Sequence, residues 1–422
     1  MTYNIDMTRQ GFYSKSNKRI DVKSGWLSVI SHMNFPNLSA PRLLKTAFLL
    51  CVLSGLIILF SCGLGSDSNK DLVVLRFAIF GDNQVGYTAW QETKDMNPSS
   101  ANIPQLRQTV ADITTTDPLP EILFILGDLV MNEVMDNGET LQIQLNAWQK
   151  VYNSLPGSQM IPLVPIPGNH EFVVYSPLDN NEGPNPGAIN VWVEWFTANG
   201  YDSYAGNGPK PGGSNPDLLV RDESMLTYSF TMKRIHFVII NTDTLNPVIN
   251  PKTKTPLVMQ GWIPINWIEQ DIKKAQNDTH ISVIIVLAHR PIETSYPVTT
   301  ERAIILNSEE YPFGTRLARV MRENSKVKLF LASHLHRWDS TRLEGGEGVW
   351  QVIVGNGGCH LDTDWNPQGV VYYGYDIVSV YRSGKIVIED FGRELPPPPQ
   401  KFYEDKPVPP TPATLRTTII IQ

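Results

Sequence analysis

Short apolar runs recur along the middle of the chain and are separated by longer segments with helical spacing. The runs lie at 73–80, 121–126, 162–167, 235–240, 282–288, 328–332, 349–354 and 377–381. Continuous runs of this length that are rich in β-branched residues are typical of strands buried on both faces of a sheet. The pattern therefore predicts a strand at each of these positions.

The segments between the runs place their apolar residues at helical spacing. We predict helices at 103–114, 138–154, 266–276 and 314–323, and a helix-like piece at 188–196. In 266–276, Trp267, Ile268 and Ile272 fall on one stripe of such a helix. The alternation predicts an α/β layered fold with helices over a mixed sheet. Because strands follow one another without helices in 349–391, we expect one sheet to end in antiparallel strands.

Five of the predicted strands end in polar side chains that can bind metal ions. These endings are Gly81-Asp82-Asn83-Gln84, Gly127-Asp128, Gly168-Asn169-His170-Glu171, His289-Arg290-Pro291 and Ser333-His334-Leu335-His336. Ligands in α/β sheets bind beyond the carboxyl ends of the strands. Two residues that stand two apart in an extended chain, as His334 and His336 do, point to the same side.

The residue types at these endings indicate metal chemistry. Any one ending could be a turn or a helix cap, but no structural requirement explains all five. Carboxylate and imidazole ligands together suit Mn, Fe or Zn. A shared aspartate could bridge two ions about 3.5–4 Å apart, an arrangement that acts on phosphate esters. The combination therefore predicts a site for two divalent metal ions.

Composition and charge restrict the possible partners. The chain has 422 residues, of which 18% are charged, and a formal net charge of −7. This is an ordinary globular composition, and the acidic balance argues against nucleic acid as a partner. The three cysteines, Cys51, Cys62 and Cys359, cannot form a disulfide framework.

The first 62 residues differ from the rest and indicate a membrane segment. The apolar run 47–60 follows Arg42 and Lys45 and is followed by Cys62 and a polar tether at 63–71. This resembles a bacterial lipoprotein signal with Met33 as the true start and Cys62 as the lipid-modified residue. The alternative is an uncleaved membrane anchor. Either would hold the domain on a membrane of the bacterial cell envelope, in the periplasm or facing the surface.

The remaining chain divides into a domain and a tail. We predict one domain at 72–393 and a Pro-rich tail at 394–422, whose last six residues could dock as a strand. Within the domain, 172–226 contains loops rich in Gly, Pro and Asn and is predicted to be an insertion that covers or walls a site. Its aromatic residues Trp192, Trp195 and Phe196 are predicted to be core.

The five polar endings, in this order, resemble the motifs of the calcineurin-like metallophosphoesterase superfamily, which includes purple acid phosphatases and many bacterial phosphodiesterases. The resemblance extends from about Phe77 to Phe391. It implies an α/β/β/α sandwich of two mixed sheets with a dimetal site at the carboxyl ends of the strands. It also implies a phosphoric monoester or diester hydrolase that uses two divalent ions, Mn, Fe or Zn, to activate a bridging hydroxide.

The resemblance also assigns roles to individual residues. The first metal would be held by Asp82, Gln84, Asp128 and His336. The second would be held by Asn169, His289, His334 and the bridging Asp128. His170 would face the substrate and act as general acid or stabilise the leaving oxygen, and Glu171 would orient nearby groups.

Two positions depart from the usual motifs of the superfamily. Gln84 stands where histidine is commonest, and an amide oxygen is a weaker and harder ligand, so we expect a looser first metal or a harder ion. Ser333 stands where glycine is usual, without loss of a ligand atom. The tyrosine that colours purple acid phosphatases has no counterpart in "GDLVMNE" (127–133), so we expect a colourless enzyme.

Several further residues near the strand ends allow two interpretations. Arg290 could hold a phosphate oxygen as a fork or form a salt bridge at the surface. Cys359 and His360 could contact the substrate or form a plain turn. Asn241 and Asp243 are predicted to be turn residues.

Two other functions compete with a phosphoesterase. The first is a surface-anchored binding protein that has the same fold but has lost activity. Such a protein would lack a bridging aspartate or a histidine ligand. The second is an endonuclease, against which the acidic charge argues. The choice between a phosphomonoester and a phosphodiester stays open at this point.

Overall fold

The structure is a computed structural model. It describes residues 71–85, 102–132, 134–175, 182–212, 217–243, 260–295, 304–346, 348–359, 361, 372–394 and 410–422. The predicted membrane segment, with Met33 and Cys62, lies outside these residues, as does His360. Among the described helices, none combines the length and the apolar character needed to cross a bilayer.

The described elements comprise strands, helices and short turns. The strands are β1 (Val73–Phe80), β2 (Ile122–Ile125), β3 (Leu163–Pro165), β4 (Val173–Tyr175), β5 (Glu182–Pro184), β6 (Tyr228–Met232), β7 (Ile235–Ile240), β8 (Val283–Ala288), β9 (Val327–Ala332), β10 (Trp338–Arg342), β11 (Trp350–Val354), β12 (Tyr372–Tyr381), β13 (Ile386–Glu394) and β14 (Thr414–Ile421). The helices are α1 (Asn102–Thr114), α2 (Glu139–Ser154), α3 (Ala188–Ala198), α4 (Ile265–Asn277) and α5 (Phe313–Glu323). Each helix begins and ends within two residues of its predicted bounds.

Twelve of the described strands form two mixed sheets of six strands each, and β4 and β5 pair with each other as a separate two-stranded sheet. The first sheet has the order β14-β13-β12-β1-β2-β3 and the second β10-β11-β9-β8-β7-β6. In the first, β1, β2 and β3 are parallel, and β12, β13 and β14 add antiparallel strands. In the second, β7, β8, β9 and β11 are parallel between two antiparallel edge strands. The expected antiparallel end is therefore present in the first sheet.

Alternate residues of the central strands face different layers. On β7, Phe237 and Ile239 belong to the core shared with the first sheet, whereas Val238 and Ile240 pack with α4 and α5. The ring of Phe237 lies 5.7 Å from that of Phe77 and 5.1 Å from that of Phe124, between the sheets. A strand covered on both faces needs apolar residues at every position, which explains the continuous runs in the sequence.

The helices complete a four-layer sandwich. Apolar residues of α1, α2 and α3 join the core of the first sheet, and those of α4 and α5 cover the outer face of the second. The predicted α/β/β/α arrangement is confirmed. Within the insertion at 172–226, α3 packs on α2, with the Trp195 ring 6.4 Å from that of Trp148, and Trp192 and Phe196 are fully buried.

Three of the strands that the sequence did not predict lie at sheet edges, whereas β13 lies inside the first sheet and β4 and β5 form the two-stranded sheet. β6 and β10 are the edge strands of the second sheet, and their segments "YSFTM" and "WDSTR" are too polar to form an apolar run. β14 pairs with β13 as the edge of the first sheet. The segment 394–422 is predicted to be a Pro-rich tail whose last six residues could dock as a strand. In the structure, the strand in this segment has eight residues, Thr414–Ile421.

Two buried aspartates oppose each other within the first sheet. Asp376 on β12 pairs with Asp390 on β13, and both are fully buried. Tyr372 donates a hydrogen bond to Asp390 (2.6 Å), and Trp338 donates one to Asp376 (3.1 Å). Burial raises the pKa of Asp390 to about 7, and burial with the Asp390 charge raises the pKa of Asp376 well above its ordinary value. The pair therefore holds a proton near neutral pH.

This pair predicts a pH dependence of stability. Because the pKa of Asp390 is about 7 in the folded protein and 3.8 ordinarily, folding takes up a proton between these values, and stability falls as pH rises from about 4 to about 7. One pKa unit corresponds to about 1.4 kcal/mol, so the loss is of the order of a few kcal/mol. We expect Asp390→Asn to melt a few degrees higher than the unmodified protein at pH 8 and to lose the part of this slope that Asp390 contributes.

Thermal melts at pH 4.5, 6 and 8 would measure the effect. Glu309→Gln at the exposed surface is the matched control and should follow the unmodified protein. An Asp390→Asn variant that is less stable at pH 8 would show that the carboxyl pair stabilises the sheet.

Candidate metal centre

The polar loops after β1, β2, β3, β8 and β9 meet at one edge of the sandwich, and glycines let them approach closely. A Cβ atom on Gly168 would lie 2.2 Å from Asp128 Oδ1, and one on Gly127 would lie 2.6 Å from His289 Nδ1. Gly127 also has a φ of 90°, which favours glycine. Larger side chains at these two positions would push the candidate ligands out of place.

Four candidate ligands of the second metal surround one point. His289 Nε2 lies 2.9 Å from Asn169 Oδ1, 3.4 Å from Asp128 Oδ1 and 3.1 Å from His334 Nδ1. Asp128, His289 and His334 each offer an atom within 4.8 Å of the others. The structure thus brings together all four residues that the resemblance assigned to this site.

The imidazole of His289 is held in the orientation that a ligand needs. Its Nδ1 lies 2.7 Å from the carbonyl oxygen of Leu126, which only accepts, so Nδ1 carries a proton and Nε2 faces the cluster. Burial lowers the pKa of His289, but the carboxylates of Asp128, Asp82 and Asp243 outweigh burial and raise it to about 9. The cluster therefore favours positive charge at Nε2.

The candidate ligands of the first metal lie beside this cluster. Gln84 Nε2 lies 3.1 Å from Asp128 Oδ2 and 3.0 Å from His336 Nε2, and Asp82 Oδ1 lies 3.8 Å from His336 Nε2. Rotation of the Gln84 amide by half a turn would bring its oxygen to the position of Nε2. Asp128 directs one oxygen toward each cluster, which is the geometry of a bridging carboxylate.

Two observations show that these residues fit divalent cations. Asp82 is fully buried, and its Oδ1 has no hydrogen-bond partner among the described residues, although a buried charged oxygen without a partner is costly. In addition, Asp82, Gln84, Asp128 and His334 have φ values of 57°, 47°, 53° and 69°. Left-handed backbone at non-glycine residues is uncommon and is concentrated at functional sites.

Glu171 joins the loops after β2 and β3. Its carboxylate accepts hydrogen bonds from the backbone amides of Asp128 (3.0 Å), Leu129 (2.8 Å), Val130 (3.3 Å) and Gly168 (2.6 Å). The predicted orienting residue therefore fixes the backbone of the bridging aspartate. Burial and the nearby Asp128 raise the pKa of Glu171 to about 8 despite these amides.

His170 lies at the rim of the site, next to the bridging aspartate. Its backbone amide donates to Asp128 Oδ1 (3.0 Å), and its Nε2 lies 3.9 Å from Asp128 Oδ2. Nδ1 lies 3.0 Å from the carbonyl oxygen of Met131, so it carries a proton. His170 Nε2 is therefore the atom that can exchange a proton with a bound molecule.

Arg290 does not occupy either of its predicted places. It is 1% exposed, so it is not a surface salt bridge, and its Nε and Nη2 bond Asp243 at 2.9–3.0 Å. The guanidinium nitrogens Nε and Nη2, which would form the fork for phosphate, are thus bonded to Asp243. Asp243 follows the end of β7 at Ile240, at the same edge of the sheet. Arg290 Nη1 lies 2.8 Å from His334 Nε2, so the pair contacts a candidate ligand at the ring nitrogen opposite the one that faces His289. The position of Asp243 after an apolar strand was the signal that could have identified it.

Ser333 and Cys359 also lie at the first cluster, although the sequence alone does not assign them to it. Ser333 Oγ donates a hydrogen bond to Asp82 Oδ2, and the backbone amide of His334 donates to the same oxygen (2.7 Å). Cys359 brings its sulfur close to Asp82 and His336. Both contacts join segments far apart in sequence, so spacing alone could not reveal them.

Comparison with known proteins gives one family match. The model of the calcineurin-like phosphoesterase family matches residues 75–338. No curated protein matches the chain. Among solved structures, a dimetal phosphatase from Danio rerio is 12% identical, with 76% of this chain and 97% of that chain covered and a TM-score of 0.47. The structure of PhoD is 11% identical, with 83% and 70% covered and a TM-score of 0.48. The family match therefore carries the assignment.

The Ser333 hydrogen bond predicts an effect on metal affinity. We expect Ser333→Ala to weaken binding of the first ion about tenfold, as is usual when a group that orients a ligand is lost, because Asp82 then keeps only the His334 amide. Titration calorimetry with Mn²⁺ and Zn²⁺ would measure this, with Ser325→Ala at the surface as control. Equal affinity of both variants would show that the hydroxyl does not orient the ligand.

Proposed function

This chain belongs to the calcineurin-like phosphoesterase family, and from that premise we propose that it hydrolyses phosphoesters at a centre of two divalent ions. One observation carries the proposal. The carboxylate of Asp128 directs Oδ1 toward the cluster of His289 and His334 and Oδ2 toward Gln84. A single buried carboxylate shared in this way is what two neighbouring ions require.

The residues at this edge have separate proposed roles in binding the ions and in positioning the ligands. Asp82, Gln84, Asp128 and His336 would hold one ion, and Asp128, Asn169, His289 and His334 the other. Ions bound there would polarise the phosphoryl group and lower the pKa of a water molecule toward neutrality. Glu171 would keep Asp128 in place through its four backbone amides. The Asp243–Arg290 pair would support His334 from the side.

His170 is the proposed proton donor to the leaving oxygen. The contact of its Nδ1 with Met131 leaves Nε2 next to the bridging carboxylate at the rim of the site. An imidazolium there can protonate an alkoxide or phenoxide as the phosphorus–oxygen bond breaks. The same residue need not touch an ion.

We also propose that the domain acts at a membrane of the bacterial envelope, tethered by a lipid on Cys62 or by an uncleaved anchor. The sequence of 47–62 supports this part of the proposal. The substrate would then be a phosphoester that reaches that surface. Cys62→Ser should release the protein from the membrane fraction if the lipid is the tether, whereas an uncleaved anchor would keep it there.

Metal-dependent hydrolysis of chromogenic esters tests the proposed activity. We expect the full chain with Mn²⁺ to hydrolyse p-nitrophenyl phosphate or bis-p-nitrophenyl phosphate, and the preferred ester would distinguish a monoesterase from a diesterase. Asp128→Ala and His289→Ala should each lower kcat at least about a hundredfold, because ion-based stabilisation is worth several kcal/mol.

Ser325→Ala is the control for this experiment and should retain full activity. Folded protein that hydrolyses neither ester with Mn²⁺, Fe²⁺ or Zn²⁺ would contradict the proposal and favour the binding-protein alternative. Equal activity of Asp128→Ala and the unmodified protein would contradict the proposed metal centre.

The role of His170 predicts a dependence on the leaving group. p-Nitrophenolate is a weak base and leaves without being protonated. Phenolate is a stronger base, so its departure depends more on protonation by an acid. We therefore expect His170→Asn to lower kcat about a hundredfold on phenyl esters and less than about tenfold on p-nitrophenyl esters. An equal loss on both esters would assign His170 to substrate binding or to the structure of the site.

A further inference from the structure

We infer that Cys359 is a ligand of the first metal and supplies a thiolate to it. The inference rests on the metal centre of the proposed function and adds a ligand that the family resemblance does not include. Cys359 Sγ, a carboxylate oxygen of Asp82 and a ring nitrogen of His336 all lie within 4.8 Å of one another. These are three residue types that bind transition metals in proteins.

The backbone fixes the thiol in this position. The loop after β11 is bonded to the loop after β1, since Gly357 donates to the carbonyl of Gly81 (3.0 Å) and Cys359 donates to that of Asp82 (2.9 Å). A Cβ atom on Gly355 would lie 2.8 Å from Asp82 Oδ2, so the loop approaches as closely as glycine permits. Cys359 is 2% exposed. Its sulfur therefore belongs to the wall of the site.

A second observation points to a cation beside this sulfur. Asp82 Oδ2 is bonded by Ser333 and by the His334 amide, whereas the buried Oδ1 has no partner among the described residues. That oxygen lies 3.8 Å from His336 Nε2. Two ligands of one ion, at about 2.0–2.3 Å from it, are at most about 4.6 Å apart. A small contraction would bring all three atoms to bonding distance of one ion.

The thiolate has consequences for the choice of metal. On binding, the thiol loses its proton to solvent, the sulfur bonds the ion, and no electron is transferred. Thiolate is a soft ligand, which favours Zn²⁺ and Fe²⁺ over Mg²⁺ and Ca²⁺. It would offset the weak binding expected from Gln84. We therefore expect the first site to prefer a softer ion than an oxygen-rich site would.

Cobalt substitution tests the sulfur ligand without measuring activity. The full chain loaded with two equivalents of Co²⁺ should show a sulfur-to-cobalt charge-transfer band in the near ultraviolet. Cys359→Ser should lose this band and bind the first ion at least about tenfold more weakly, while the visible cobalt bands of the second site remain. Ser325→Ala at the surface is the control and should keep the spectrum of the unmodified protein.

A measurement on the unmodified protein tests the sulfur ligand even if the Cys359→Ser variant does not fold. Zinc K-edge X-ray absorption should show a sulfur neighbour at about 2.3 Å. Only nitrogen and oxygen neighbours there, or a cobalt spectrum unchanged in folded Cys359→Ser, would overturn the inference and leave Cys359 as a packing residue. Ester hydrolysis measured on the same samples separates the two proposals. Activity without a sulfur band contradicts only the ligand, and a sulfur band without activity contradicts only the hydrolase.

Discussion

The structure depends on the burial of three carboxylates at one edge of the sandwich. Asp82, Asp128 and Glu171 are each at most 1% exposed, and buried charges are costly unless they are paired. Glu171 accepts hydrogen bonds from four backbone amides, although burial and Asp128 still raise its pKa to about 8. For Asp128, the neighbouring His289 and His170 outweigh burial and hold its pKa well below the ordinary value. Burial raises the pKa of Asp82 well above its ordinary value, and its Oδ1 has no hydrogen-bond partner among the described residues.

The candidate metal centre takes its residues from both sheets. The first sheet contributes Asp82, Asp128 and Asn169 from the ends of β1, β2 and β3, and the second contributes the histidines after β8 and β9. Neither set alone would form a site. The aromatic core between Phe77, Phe124 and Phe237 keeps the two sheets in register beneath it. The candidate ligands at the edge and the apolar packing beneath them therefore both depend on the same placement of the two sheets.

Among the strands, the sequence predicted those with continuous apolar runs and missed those whose segments mix polar and apolar residues. β1, β7 and β8 have apolar side chains on both faces, so their runs are continuous, whereas β6 and β10 have one face or one edge in solvent. The five polar endings were visible because glycines and ligands are adjacent in the chain. The bond between Ser333 and Asp82 joins residues 251 positions apart. Such contacts depend on the register of two sheets, which no local pattern encodes.

The two departures from the family motifs, Gln84 and Ser333, and the inferred ligand Cys359 all belong to the first candidate cluster. Gln84, Ser333 and Cys359 all lie around Asp82 and His336 in the first cluster, whereas Asn169, His289 and His334 keep the usual residue types in the second. An amide in place of imidazole weakens the first site, a hydroxyl orients its carboxylate, and a thiol adds a soft donor. These changes act on the same ion in compensating directions. The second ion is therefore expected to keep the properties common in the family, and the choice and affinity of the first to be particular to this chain.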